Sequence, residues 1–386
     1  MIADRAWFKA NLGYDPVDEP LPHTAFAFAP SRTSQKDEDF QREIIDFDSE
    51  APSGLQFLAF STATGLSRFK DIAWPEGLAP QTSPDAGGAP GGALPAADVL
   101  VVTWTVDEGH ALSRVLTPGK DSRNDYLPYT HNYAAIAQHM RAGCPAVEAK
   151  RLGTYWRTTI AGKSVVVFKS DSHLSQDGPG VPNIQVWRQL IDEVKPRLVI
   201  TTGTAGGIGV NAQVGDVVVS PIVRFDCTSK FKAQPWHAAD YSSTAADASQ
   251  FHLAEQLFAA NAGQLPKTNT RAPQIGVSAP GALTSSVLTT DFFGFDTSNN
   301  HYKLQGLGAV SEMGDAVLGL VAQDMKAQGL APPRWLAIRN VSDPQIKADG
   351  LTLKQQGDMA AQIYKGFGRW SSVCSAIVCW ASIVPL

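Results

Sequence analysis

The 386-residue chain holds little that would tie it to a membrane, a metal ion or a polyanion. Its most apolar late stretch, WSSVCSAIVCWASIVPL, is punctuated by serine and falls short of the ~20 residues a bilayer span requires, so a buried terminal helix is expected there. The opening MIADRAWFKANLGYD mixes charge with apolar residues too early for a signal peptide, which predicts no export. Four cysteines (Cys144, Cys227, Cys374, Cys379) show neither the paired spacing of a zinc ribbon nor the density of a disulfide scaffold; reduced thiols and a cytoplasmic location are expected. His110, His131 and His173 lack metal-ligand spacing and no HExxH occurs, so neither a metal nor a cofactor is implied. Lysine and arginine are scattered and the net charge is -5, which argues against nucleic acid or an anionic membrane surface as partner.

With 44% hydrophobic residues, the chain can bury a sizeable core in one large domain or two smaller ones. The stretch QTSPDAGGAPGGALP concentrates proline, glycine and small residues, and residues 81–96 read as a linker without regular structure. Residues 1–80 form an aromatic but weakly periodic arm, with Trp7, Phe8, Phe26, Phe28, Phe57, Phe60 and Trp74, expected to pack irregularly on the main domain. Over residues 97–386, β-branched runs at 98–103, 163–168, 197–201, 215–220 and 335–339 predict strands buried on both faces. Between them, Asn183 is placed to cap a helix whose Val186, Trp187, Leu190, Ile191 and Val194 share one stripe ended by Lys195-Pro196. A further helix, GDAVLGLVAQDMKAQG, stops at Gly329. The alternation predicts an α/β domain around a parallel or mixed sheet.

One stretch, VITTGTAGGIG at 199–209, reads as a strand running into a glycine-rich turn. It lacks the lysine and hydroxyl of a phosphate-binding P-loop, and a second turn and strand follow where a dinucleotide fingerprint needs a helix. Two readings stand level: exposed main-chain N–H groups that hold a small oxygen-rich ligand, or a tight turn packed against a neighbouring strand.

Other strand ends add to it. KPRLVITTGTAGGIGVNAQVGDVVVSPIVRFD, DVLVVTWTVDEGHAL, LTTDFFGF, AVSEMGDAVLGLVA and WLAIRNVSDP occur in the order of the motifs of the nucleoside phosphorylase superfamily. The chain resembles above all its nucleosidase branch, typified by methylthioadenosine/S-adenosylhomocysteine nucleosidase. The resemblance covers the chain from about Asp98 onward and implies a three-layer α/β/α fold with a mixed central sheet. It places Thr204 and the backbone of Ala205, Gly206 and Gly207 around the attacking water or phosphate, and Glu108 on the glutamate that activates water. Phe293, with Phe292 as the second candidate, falls on the aromatic that stacks on the base; Asp343 falls on the acid at the purine, with Ser342 and Arg339 beside it. One motif departs from the pattern. The family reads Glu-Met-Glu under the ribose, whereas an ungapped match puts Glu312 on the methionine and Met313 on the second glutamate. Either a one-residue bulge lets Glu312 reach the sugar, or Asp315 serves, or the sugar is held differently.

The implied chemistry is cleavage of an N-glycosidic bond in a purine nucleoside, which builds positive charge on the sugar and negative charge on the departing base. Asp343, following the apolar strand WLAI, would be desolvated enough to carry a proton to the base, provided Arg339 points elsewhere; alone, the two would read as a surface pair at a strand end. Phosphorolysis would want an arginine just before the glycine stretch, where none stands, and Glu108 would repel a phosphate dianion, so water is favoured over phosphate as co-substrate. The alternatives are a phosphate-dependent phosphorylase and a non-catalytic nucleoside-binding protein. Family members associate, which implies a homo-oligomer.

Overall fold

The β-branched runs become strands because each can bury both faces in a sheet covered by helices. The computed structural model describes residues 2–12, 72–174, 180–244, 246–260, 271–279 and 281–386. Its strands are β1 (Ile2–Ala3), β2 (Gln81–Thr82), β3 (Val99–Thr103), β4 (Leu127–Tyr129), β5 (Gly153–Ile160), β6 (Lys163–Ser170), β7 (Leu198–Gly207), β8 (Val217–Ser220), β9 (Ile222–Asp226), β10 (Asp240–Ser242), β11 (Ile275–Val277), β12 (Val287–Thr290), β13 (Val310–Glu312), β14 (Arg334–Asp343) and β15 (Gln345–Ile346). The helices are α1 (Arg5–Leu12), α2 (Val106–Leu116), α3 (Tyr133–Ala137), α4 (Pro145–Ala149), α5 (Asn183–Val194), α6 (His252–Ala260), α7 (Asp315–Ala327) and α8 (Leu353–Ile383).

The main sheet runs β10-β9-β12-β13-β7-β3-β6-β5-β2, with β14 joining β7 to β8. It is mixed: β7 pairs in parallel with β3 and β14 and antiparallel with β13. Helix α8 packs on α2, β14 and β7, while α5 packs on α7, which lies against β9, β10 and β12. The result is the three-layer α/β arrangement, its core filled by fully buried strands such as β3 and by Trp187 and Trp380.

Helix ends follow local chemistry. A capping box closes the start of α2, the Thr105 hydroxyl accepting from Glu108 N and the Glu108 carboxylate accepting from Thr105 N. Thr352 and Gln355 do the same for α8. The stripe expected on α5 is buried as a set, but Asn183 is not its cap. Asn183 is the first helical residue behind Pro182, and its amide donates instead to the Ser172 hydroxyl at 3.0 Å.

The glycine stretch differs from its sequence reading in a way that matters below. Residues 199–207 do not turn; β7 continues to Gly207, with Gly203 at φ 148° inside the strand and the turn glycine Gly209, at φ 87°, only after it. Inside the strand the glycines make room for close neighbours, as a strand glycine commonly does. A Cβ on Gly203 would lie 2.5 Å from the Glu108 carboxylate, and one on Gly207 2.8 Å from the Val341 side chain.

The segment read as a linker carries β2, which pairs antiparallel with β5 at Thr158 and Thr159. Of the N-terminal aromatics, Trp7 and Phe8 are buried, Trp7 sitting edge-on to Phe367 of α8 at 5.7 Å. Phe26, Phe28, Phe57 and Phe60 lie outside the described residues. Among the described residues no helix is long and apolar enough to cross a membrane; the late apolar stretch is the buried end of α8.

Candidate functional site

Strand β7 outruns its neighbour. Strand β3 pairs with it only from Leu198 to Thr201, and β13 takes up the same edge only at Gly206 and Gly207. Between them, Thr202 to Ala205 present main-chain groups to no strand on that side among the described residues. A break of this kind, where one strand diverges before another joins, is where α/β sheets hold ligands. A cleft opens there, walled by Trp104, Glu108, Thr204, Phe293, Arg339 and Asp343.

Glu108 projects from the first turn of α2 into the gap. Its Oε2 accepts from Thr103 Oγ1 (2.9 Å), Trp104 N (3.1 Å) and Thr105 N (2.9 Å), and its Oε1 from Thr204 N (2.8 Å) and Thr204 Oγ1 (2.7 Å). Burial alone would favour the neutral acid. Arg339 and the donors from Thr105 and Thr204 outweigh it and hold the carboxyl below its ordinary pKa, so Glu108 is an anion at neutral pH.

Arg339 reaches the cleft from the middle of β14. Its Nε donates to Asp315 Oδ2 at 2.8 Å and a second nitrogen bonds Asp315 Oδ1, a two-pronged pair at the start of α7. It also lies 3.2 Å from Glu312 Oε2 and 3.3 Å from Thr204 O, with its guanidinium 4.7 Å from the Trp104 ring centre. It makes no bond to Asp343, and both residues are buried, so they are not the surface pair their spacing allowed.

Glu312 ends β13 and lines the cleft. Its carboxylate accepts from Gly314 N at 2.6 Å and Asp315 N at 2.9 Å, the first free amides of α7, and from Thr289 Oγ1. Burial and the neighbouring Asp315 charge raise it to about 7 against the pull of Arg339. Asp315 itself is fully engaged with Arg339 and is not on the cleft wall, so of the two candidates for the sugar only Glu312 faces the space.

The other end of β14 carries Asp343. The register with β7 slips between Val341 and Asp343, leaving Ser342 as the extra residue of a bulge. Alternate residues of a regular strand face opposite ways, but a bulge re-aims its side chains, and here both Ser342 and Asp343 line the cleft. Asp343 is 3% exposed, and its carboxylate accepts from Ser342 Oγ at 2.8 Å. With no cation to offset it, burial pushes its pKa to about 7.

Thr204, Ala205, Gly206, Phe293 and Met313 are on the same wall. Two expected residues are not. Phe292 is turned into the core against Tyr302, ring centres 5.2 Å apart, and Gly207 lies under Val341 and Ala212. The sequence reading missed Trp104 and Tyr364; His173, weighed there as a metal ligand, is also on the wall. Trp104 immediately precedes the α2 cap, a position whose packing value no local pattern signals; burial and then Arg339 depress His173 to about 3 and keep it neutral. Tyr364 comes from α8, far along the chain. Among the described residues, Arg339 is the one charged cation on the wall, and no group of side chains could hold a metal ion.

A sequence model of the family described as "Phosphorylase superfamily" matches residues 127–367, well over half the chain and beginning after Glu108. Among curated proteins, a 5'-methylthioadenosine/S-adenosylhomocysteine nucleosidase of Listeria innocua is 37% identical over 79 residues, 20% of this chain; the match spans about a third (31%) of that relative's length. Among solved structures, the chain is similar to the nucleosidase of the same description from Neisseria meningitidis in complex with methylthio-immucillin-A (TM-score 0.43, 17% identity, 75% of this chain and 99% of that one). It is also similar to the futalosine hydrolase of Helicobacter pylori (TM-score 0.45, 13% identity, 75% and 97%). With the family model covering most of the sheet and the cleft at its centre, the chain belongs to the phosphorylase superfamily.

Proposed function

We propose that the protein hydrolyses the N-glycosidic bond of a purine nucleoside, with residues 97–386 as the catalytic unit. The observation that carries this reading is the pairing, in one cleft, of an ionised carboxylate with one that keeps its proton near neutrality: Glu108 below its ordinary pKa and Asp343 at about 7. Two carboxyl groups pushed apart in this way supply a base and an acid at the same pH.

In this account Asp343 donates its proton to a ring nitrogen of the purine as the bond to the sugar lengthens, so the base leaves neutral. Phe293 stacks on the base, and Met313 lies under the sugar ring. Glu312 accepts hydrogen bonds from the sugar hydroxyls, which strengthen as the ring becomes cationic. Glu108, a weak base because it is so well bonded, takes the proton from water late, once the cationic sugar has made the attacking water acidic.

Water is favoured over phosphate because Arg339 already faces Asp315 and Glu312, and Glu108 adds a fixed negative charge. A phosphate dianion would enter a field of its own sign with no further cation to meet it. The reading is tested by incubating the protein with adenosine, inosine and methylthioadenosine and identifying both products. Free base with free sugar is expected, and its loss in Asp343→Asn; a nucleoside that binds but is returned intact by the native protein would assign it a binding role instead.

A further inference from the structure

Tyr364 has no place in the chemistry set out above, yet it sits among the groups that carry it. It lines the cleft from α8 and is 3% exposed. The Glu108 carboxylate and the hydroxyls of Thr105 and Thr204 are in its surroundings. The Thr105 and Thr204 hydroxyls are close enough to ease the phenol's charge, but no hydrogen bond of ordinary length and angle is formed: by that measure Tyr364 Oη is a buried polar atom without a partner among the described residues. A buried hydroxyl without a well-formed bond is costly, and one carried by a residue that lines a cleft points to a ligand that completes it. The ring is held in this aim by its own helix. A Cβ on Gly368, one turn on, would lie 3.2 Å from the ring, so that glycine leaves the space the ring occupies.

We propose that Tyr364 Oη holds the attacking water beside Glu108, a proposal that rests on the hydrolytic reading. Oε1 of Glu108 carries two donors, both from Thr204, against three on Oε2, and is the less crowded oxygen; the Thr204 hydroxyl can rotate its proton away to let a water donate there. The water gives one hydrogen to Oε1 and the other to Tyr364 Oη, which turns its own proton to the Thr105 or Thr204 hydroxyl. Both hydrogens are then fixed and a lone pair is left aimed at the anomeric carbon. As the C–O bond forms and the C–N bond breaks, the first hydrogen passes to Glu108, the base departs with the Asp343 proton, and Tyr364 keeps its own. Burial, together with the Glu108 and Asp107 charges, raises the phenol's pKa, consistent with a group that positions and does not ionise.

The test compares native full-length protein with Tyr364→Phe and Gly368→Ala in water and in water–methanol mixtures. Tyr364→Phe is expected to lower kcat about ten- to a hundredfold with KM for the nucleoside unchanged. Methanol has a single hydroxyl hydrogen and cannot satisfy both Glu108 and Tyr364, so the native protein should discriminate against it. Tyr364→Phe should raise the share of methyl glycoside in the product, a change that loss of packing would not produce. Gly368→Ala, which keeps the hydroxyl but presses on the ring, should lower kcat in the same direction and covers the case of a poorly folded phenylalanine variant. An unchanged kcat and product ratio, or a raised KM at constant kcat, would overturn the proposal while leaving hydrolysis intact. Absence of base release by the native protein would instead overturn the hydrolytic reading, and this proposal with it.

Discussion

Glu108 and Asp343 are both carboxylic acids buried in the same cleft, and their opposite behaviour is a matter of neighbours. Glu108 collects five donors and the field of Arg339; Asp343 has the Ser342 hydroxyl. Base release should therefore fall as pH rises through about 7, where Asp343 loses its proton, and fall again in acid as Glu108 becomes protonated. Asp343→Asn should reduce kcat by about 10²–10⁴-fold, the usual worth of a positioned acid, as read from a steady-state assay. The same shift has a stability consequence of definite sign. Between the ordinary value of 3.8 and about 7 the folded protein keeps a proton that the unfolded chain has lost, so the Asp343 contribution is most favourable in acid and is lost as pH rises through that window. Thermal melts should show the asparagine variant gaining on the native protein between pH 5 and pH 8. Gly203, at φ 148° and with no room for a methyl beside Glu108, gives a third test at this scale. Gly203→Ala should cost about 1–3 kcal/mol in a denaturant titration and displace the carboxylate, with activity falling further than stability.

Strand β14 ties the elements together, since Arg339 pairs it to the start of α7 and the Ser342 bulge sets Asp343 toward the cleft. Arg339→Met removes the cation and leaves Asp315 and Glu312 buried together, which should cost about 3–5 kcal/mol in the same titration. Asp315→Asn in that background should recover part of the loss, because one of the two stranded charges is gone. What was legible in the sequence follows from this division between local and non-local causes. Short β-branched runs, the apolar stripe of α5 and the stop at Gly329 depend on neighbours in the chain, and the elements lie where those signals put them. The glycine stretch was misread as a turn because its glycines answer to Glu108 and Val341, partners distant in sequence. Asn183 has the composition of a cap, but Ser172 on another segment claims its amide. Tyr364 and Trp104 left no local signal, since their value comes only from α8 and the α2 cap meeting over β7.

The molecule as a whole joins its ends around the cleft. Strand β1, near the N-terminus, pairs with β15 just after Asp343, and Trp7 packs on Phe367 in the helix that carries Tyr364. Trp7→Ala should lower stability by about 3–5 kcal/mol in a thermal or denaturant titration, although the residue is remote from the cleft in sequence. In the proposed hydrolysis, the charge balance of the whole site selects the co-substrate. Among the described residues Arg339 is the one charged cation on the wall, and Asp315 and Glu312 already flank it, so the central claim is that this cleft admits water and repels phosphate. The most direct measurement is the rate of base release from a purine nucleoside in phosphate-free buffer, repeated as inorganic phosphate is added. The account predicts release without phosphate, free sugar as the second product and no acceleration on addition; a rate that vanishes without phosphate, with sugar 1-phosphate formed in its presence, would contradict it.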